Sequence, residues 1–137
     1  MKVLLDTNAY VAFRLGHRGV ARLVRDSSGV LFSAVVAGEL LHGVHAGAYG
    51  AENLSELEAF LERPQVEFLP VTWATADRFG RVAAALKRKG KPIPTNDVWI
   101  AAHAMETGAD LVSLDQHFKH VDGLAWVDPG PAPTGGR

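Results

Sequence analysis

Five short apolar runs recur between stretches of helical pattern, and this constrains the chain more than any other feature. They cover residues 2–5, 30–32, 66–71, 111–113 and 124–127. The runs lack regular alternation with polar residues, so each strand is expected to be covered on both faces. Strands of that kind, separated by helices, form a parallel sheet between helix layers. The expected fold is therefore α/β and three-layered, with about five parallel strands and helices on both faces.

The connecting segments read as helices with recognisable ends. Thr7 or Asn8 is positioned to cap a helix to about Leu15. His17 to Asp26 is a second helix, with Val20, Leu23 and Val24 on one face. Ser33 caps a third, from Ala34 to about His45. Gly47 to Gly50 breaks the pattern. Asn53 to Glu62 is amphipathic, and Pro64 ends it. Thr72 caps a long helix to about Lys89. Thr95 or Asn96 caps a last one, which Gly108 ends. Trp73, Trp99 and Trp126 are expected in the core.

At 137 residues the chain fits one domain, assigned to residues 1–127. The segment 128–137 holds three prolines and three glycines and is expected to be disordered. There is no cysteine, which excludes disulfides and thiolate metal sites. Neither a signal peptide nor a membrane-length apolar run is visible, so the expected location is cytoplasmic. A formal net charge of −1 argues against coating nucleic acid by bulk charge and leaves room for local basic patches.

Four acids fall where such a fold concentrates chemistry. Ligands of an open parallel sheet bind at the carboxyl ends of its strands. Asp6 ends the first run and Asp115 follows the fourth. Glu39 lies in "AVVAGELLHGV" and is the only acid between Asp26 and Glu52. Asp97 opens "NDVWIAAHAM", a helix apolar on nearly every face and so expected to be buried. A bare carboxylate beside apolar sequence is costly. Gathering several makes sense with a compensating cation, and oxygen ligands favour Mg²⁺ or Mn²⁺. An ion held there would activate a water and clamp a phosphate, which suits phosphodiester hydrolysis.

Each acid also has a plain structural reading. Asp6 can cap the next helix, Asp97 can favour a helix dipole, Glu39 can pair with His42 or His45, and Asp115 can sit in a turn. Neither Asp6 nor Asp115 is followed by Gly, as a simple turn often is. His42 shares a helix face with Glu39. Glu-x-x-His pairs bind metal in helical bundles, but no second copy is present. His103 reads as a satisfied core or rim residue. His117 and His120 follow Asp115 and are placed to approach the site, and neither is assigned a catalytic part. Arg14, Arg18, Arg22 and Arg25 fall at helical spacing, and Lys87, Arg88, Lys89 and Lys91 cluster before the loop to Asp97. Arg14, Arg18, Lys87, Arg88 and Lys89 are candidates for phosphate contacts; the alternative is a solvated helix face.

"LLDTNAYVA", Glu39 in "VVAGELLHGV", and "NDVWIAAHAMETGADLVSLDQHF" together resemble a PIN domain, and more closely the VapC toxins of type II toxin–antitoxin (VapBC) pairs. The resemblance covers residues 2 to 127. It implies a metal-dependent endoribonuclease whose acidic site is Asp6, Glu39, Asp97 and Asp115, with Asp6 and Asp97 as the firmest ligands of one or two Mg²⁺ or Mn²⁺ ions. Ser113 and Asn8 match polar residues that support the acids. It further implies a homodimer, a VapB-type antitoxin that forms a hetero-oligomer with the toxin, and contact with operator DNA only through that antitoxin. Attack by water would leave 5′-phosphate and 3′-hydroxyl ends on the RNA.

Two rival readings differ in kind. A haloacid dehalogenase-type phosphatase also starts with an apolar strand ending in Asp, but needs a second Asp two residues on, where this chain has Asn8. A phosphoacceptor receiver domain wants a paired acid and a late lysine, which are not evident. The other rival is a catalytically silent PIN-like module that only binds an antitoxin.

Overall fold

The computed structural model describes residues 1–47 and 51–131. The expected glycine break at 47–50 therefore lies largely outside the described residues, as do 132–137 of the tail. The elements run β1 (Val3–Leu5), α1 (Thr7–Arg14), α2 (Arg18–Asp26), β2 (Val30–Ser33), α3 (Ala34–His45), α4 (Ala51–Leu61), β3 (Val66–Leu69), α5 (Trp73–Lys89), α6 (Thr95–Thr107), β4 (Asp110–Val112), a 3₁₀ helix (Gln116–His120) and β5 (Trp126–Val127). Among the described residues no helix is long and apolar enough to cross a membrane.

The five strands form one parallel sheet in the order β3-β2-β1-β4-β5. The chain steps outward from β1 to β3, then returns across the sheet to β4. Crossovers between parallel strands are right-handed. The reversal of direction therefore puts α1 to α4 on one face and α5 and α6 on the other. Residues of β1 and β2 are buried throughout, as their unbroken apolar sequence requires. Tyr10 and Phe60 meet edge to face at 5.3 Å, and Tyr10 meets Phe32 at 5.5 Å, which ties α1 and α4 to β2. On the other face α6 buries Val98, Ile100, Ala101, Ala102 and Ala104, in line with its apolar sequence.

The structure corrects several expectations. Strand β3 is an edge strand, not one covered on both faces: Glu67 and Phe68 are exposed. Pro70 follows it directly, so it stops at Leu69 rather than running to Val71. Trp73 is 88% exposed on the first turn of α5 and is not a core residue. Trp99 stacks on Phe79 at 4.0 Å, and Trp126 donates from Nε1 to the Ser113 carbonyl at 3.0 Å. Helix α1 is capped by Asp6, not by Thr7 or Asn8: the Ala9 N–H donates to Asp6 Oδ1 at 2.8 Å. Helix α6 begins at Thr95 after Pro94, without a side-chain cap.

Residues 128–131, the start of the expected disordered tail, lie against α2. His17 caps that helix by accepting from the Val20 N–H through Nδ1, which leaves Nε2 to donate to the Gly130 carbonyl at 3.1 Å. A Cβ on Gly19 would stand 1.9 Å from the Pro129 carbonyl oxygen, so only glycine permits that approach.

Candidate active site

The chain reverses direction between β1 and β4, the switch point at which an open parallel sheet forms its ligand crevice, and the acids gather there. Asp6 leaves the end of β1. Its side chain is buried by the flanking strands and by α1. Ser113, fully buried at the end of β4, donates its hydroxyl to Asp6 Oδ2. The Ser113 oxygen also accepts the Asp115 N–H at 2.9 Å. A single hydroxyl thus sets the distance between the first and fourth acids along the chain.

Asp97 sits in the first turn of α6, half-buried. Glu39 reaches it from α3. The Thr7 hydroxyl donates to Glu39 Oε1, and Asn96 Nδ2 donates to Oε2 at 3.3 Å. The residues on either side of the site that hold Glu39 are therefore the sequence neighbours of Asp6 and Asp97. Asn8, expected to support the acids, is exposed and bonds none of them; Thr7 and Asn96 do so instead.

Asp115 opens the 3₁₀ helix, an element the sequence pattern did not announce. That tight turn carries His117 back toward the crevice. His117 Nδ1 stands 3.0 Å from Asp115 Oδ1. Its Nε2 stands 2.9 Å from Asp97 Oδ2 but off the angle of a hydrogen bond, so this buried nitrogen has no aligned partner. Asp97, Asp115 and His117 each offer a ligand atom within 4.8 Å of the others. Two carboxylates and an imidazole nitrogen form a donor set that a divalent metal ion accepts. An unaligned buried nitrogen facing a carboxylate fits the same purpose. Asp6 and Glu39 lie outside this tightest group, with both oxygens of each already accepting hydrogen bonds.

The electrostatics carry the mark of crowded negative charge. Burial lifts the Asp6 carboxyl from 3.8 to about 6, opposed by the bonds from Ser113 and Ala9 and helped by the charges of Asp97 and Asp115. Asp97 is also raised, first by burial; His117 opposes this, while Glu39 and Asp115 add to it. The four acids named from the sequence thus feel one another across the crevice. Such shifts mark a place where a cation is favoured.

The remaining candidates divide. His103 is 1% exposed and satisfied on both sides, by Ser33 Oγ at 2.8 Å and the Pro70 carbonyl at 3.1 Å. His42 is exposed on α3. His120 lies beside Lys89, whose ammonium donates to its carbonyl at 2.7 Å and to Asp122 at 2.8 Å. Lys89 is therefore engaged within the protein, which weakens it as a phosphate contact. Lys87 and Arg88 are exposed on the last turns of α5, and Arg18 on the first turn of α2. Arg14 is half-buried at the end of α1. Thr7 and Asn96 are site residues that sequence reasoning missed, and His117, expected only to come near the site, is a third without an assigned role there. Each lies within two positions of a named acid, and that proximity was the available signal.

Residues 3–124 match the PIN domain family. The chain is 34% identical over 133 residues to ribonuclease VapC2 of Haemophilus influenzae, covering 93% of this chain and 99% of that one. It is 29% identical over 132 residues to the tRNA(fMet)-specific endonuclease VapC of Shigella flexneri, covering 93% and 98%. In three dimensions it superposes on DNA-bound VapBC from Salmonella typhimurium with a TM-score of 0.82, at 26% identity over 95% of this chain and 99% of that one. With the sheet order, the acids at its carboxyl edge and these likenesses in hand, the chain belongs to the PIN-domain family, among the VapC proteins of toxin–antitoxin systems.

Proposed function

We propose that this protein is a toxin that hydrolyses RNA phosphodiester bonds with a divalent metal ion, Mg²⁺ or Mn²⁺. The observation that carries the reading is the convergence of Asp6, Glu39, Asp97 and Asp115 on one crevice, where the carboxyl pKa values of Asp6 and Asp97 are pushed upward. Asp97 and Asp115, with His117 beside them, would hold the ion. When bound, the ion would make a water nucleophilic and offset charge on the phosphate oxygens. Asp6 is aimed by Ser113 and the Ala9 N–H, so its carboxylate enters the site pre-oriented. Glu39 is held by Thr7 and Asn96 at the opposite wall, where it can position a water or accept its proton. Exposed Arg18, Lys87 and Arg88, with Arg14, supply positive charge for the RNA backbone.

The relatives support the partners. The Salmonella protein was crystallised as VapBC bound to DNA. For this chain we propose a VapB-type antitoxin, a toxin homodimer within a toxin–antitoxin hetero-oligomer, and operator DNA contact through the antitoxin. A transfer RNA is the first substrate to try, since the Shigella relative is a tRNA(fMet)-specific endonuclease.

End mapping tests the chemistry. RNA incubated with antitoxin-free protein and Mn²⁺ is expected to yield fragments with 5′-phosphate and 3′-hydroxyl ends. Fragments ending in 2′,3′-cyclic phosphate would mean that the ribose hydroxyl attacks, and would overturn the reading.

A further inference from the structure

We propose that His117 is a direct ligand of the metal ion, through Nε2, and that it biases the site toward Mn²⁺ over Mg²⁺. This rests on the metal-dependent reading of the site above. Four carboxylates alone would give an all-oxygen site, the kind that suits Mg²⁺. The structure adds an imidazole to it.

Three observations carry the assignment. The 3₁₀ helix turns His117 into the crevice, although Asp115 already supplies an acid from that segment. Its Nε2 is buried and faces Asp97 Oδ2 at 2.9 Å without hydrogen-bond alignment. Its Nδ1 lies 3.0 Å from Asp115 Oδ1, so both ring nitrogens face carboxylates of the same candidate ligand group. Packing of the ring against Phe118, at 4.8 Å between centroids, further limits its rotation. Imidazole donors favour first-row transition ions, whereas Mg²⁺ prefers oxygen and keeps its waters.

Electron spin-echo spectroscopy on the Mn²⁺-loaded full chain tests this without reference to turnover. The wild type is expected to show ¹⁴N coupling from a directly bound imidazole, and His117→Gln to lose it. Calorimetry is expected to show Mn²⁺ affinity falling by about tenfold or more in His117→Gln. Mg²⁺ affinity should change much less, so the preference between the ions narrows. Wild-type Mn²⁺ protein with no nitrogen coupling would overturn the proposal even if it cleaves RNA, and would leave the nuclease reading standing. Nitrogen coupling in a protein that cleaves no RNA would support the ligand and overturn the nuclease. If His117→Gln fails to fold, the wild-type spectrum alone decides.

Discussion

The Ser113 hydroxyl donates to Asp6 Oδ2 across the carboxyl ends of β4 and β1, while its oxygen receives the Asp115 N–H. One buried side chain therefore joins two acids 109 positions apart in the numbering. Ser113→Ala leaves Asp6 with one hydrogen bond and the Asp115 N–H with none. A hydrogen bond to a charged group is worth ~1.5–3 kcal/mol, and a loss of that order is expected in urea unfolding near pH 8. The lost bond had favoured the carboxylate, so the acid limb of the cleavage profile should move to higher pH.

Asp6 also governs the pH dependence of metal-free stability. Its pKa rises from 3.8 in the unfolded chain to about 6 in the folded one. A raised folded pKa means the folded state holds the proton more tightly. The resulting stability is present in full below 3.8 and is lost as pH climbs through about 6. At pH 8 the charged Asp6 therefore costs the fold on the order of 3 kcal/mol, by the conversion of ~1.4 kcal/mol per pH unit. Asp6→Asn is expected to melt at higher temperature than wild type at pH 8 and to lose most of that advantage by pH 4. Equal melting temperatures at pH 8 would count against a charged, crowded Asp6. Cleavage by Asp6→Asn should be abolished at every pH.

Glu39 depends on Thr7 and Asn96 for its orientation. Glu39→Gln should lower the cleavage rate by at least ~10²-fold, the usual cost of removing one preorganised electrostatic group. Thr7→Val keeps the shape of the side chain and removes the donor. Its rate should fall about tenfold, with the fold intact by circular dichroism, the lost bond being worth ~1.5 kcal/mol. A Thr7→Val rate equal to wild type would detach Glu39 from the reaction.

His103 is expected to matter for the fold and not for the reaction. It bridges Ser33 and the Pro70 carbonyl inside the core. His103→Ala empties a buried volume and strands both partners, so a loss of ~3 kcal/mol or more is expected in denaturant unfolding. Cleavage per folded molecule should be unchanged.

Much of this was legible in the chain because the physics was local. Val3-Leu4-Leu5 and Val30-Leu31-Phe32 announce buried strands, and the apolar 97–107 segment announces a buried helix. Strand order was not announced: the pairing of β1 with β4 joins segments more than a hundred positions apart in the sequence. What stayed hidden depends on contacts remote in sequence. Trp73 looks like a core residue until β3 is known to be an edge. Asp6 reads as either a cap or a site residue; its Oδ1 caps α1, and its Oδ2 is held by Ser113 from the end of β4. The turn that brings His117 to Asp97 is a 3₁₀ helix, too short for periodicity to reveal.

The central claim is that these acids work by holding a metal ion against RNA. It is tested most directly by antitoxin-free protein on total RNA with Mn²⁺, with chelator, and beside Asp97→Asn. The account predicts discrete cuts with Mn²⁺ that disappear with chelator and in Asp97→Asn, although that variant folds normally. Cuts that persist in chelator, or in folded Asp97→Asn, would contradict it.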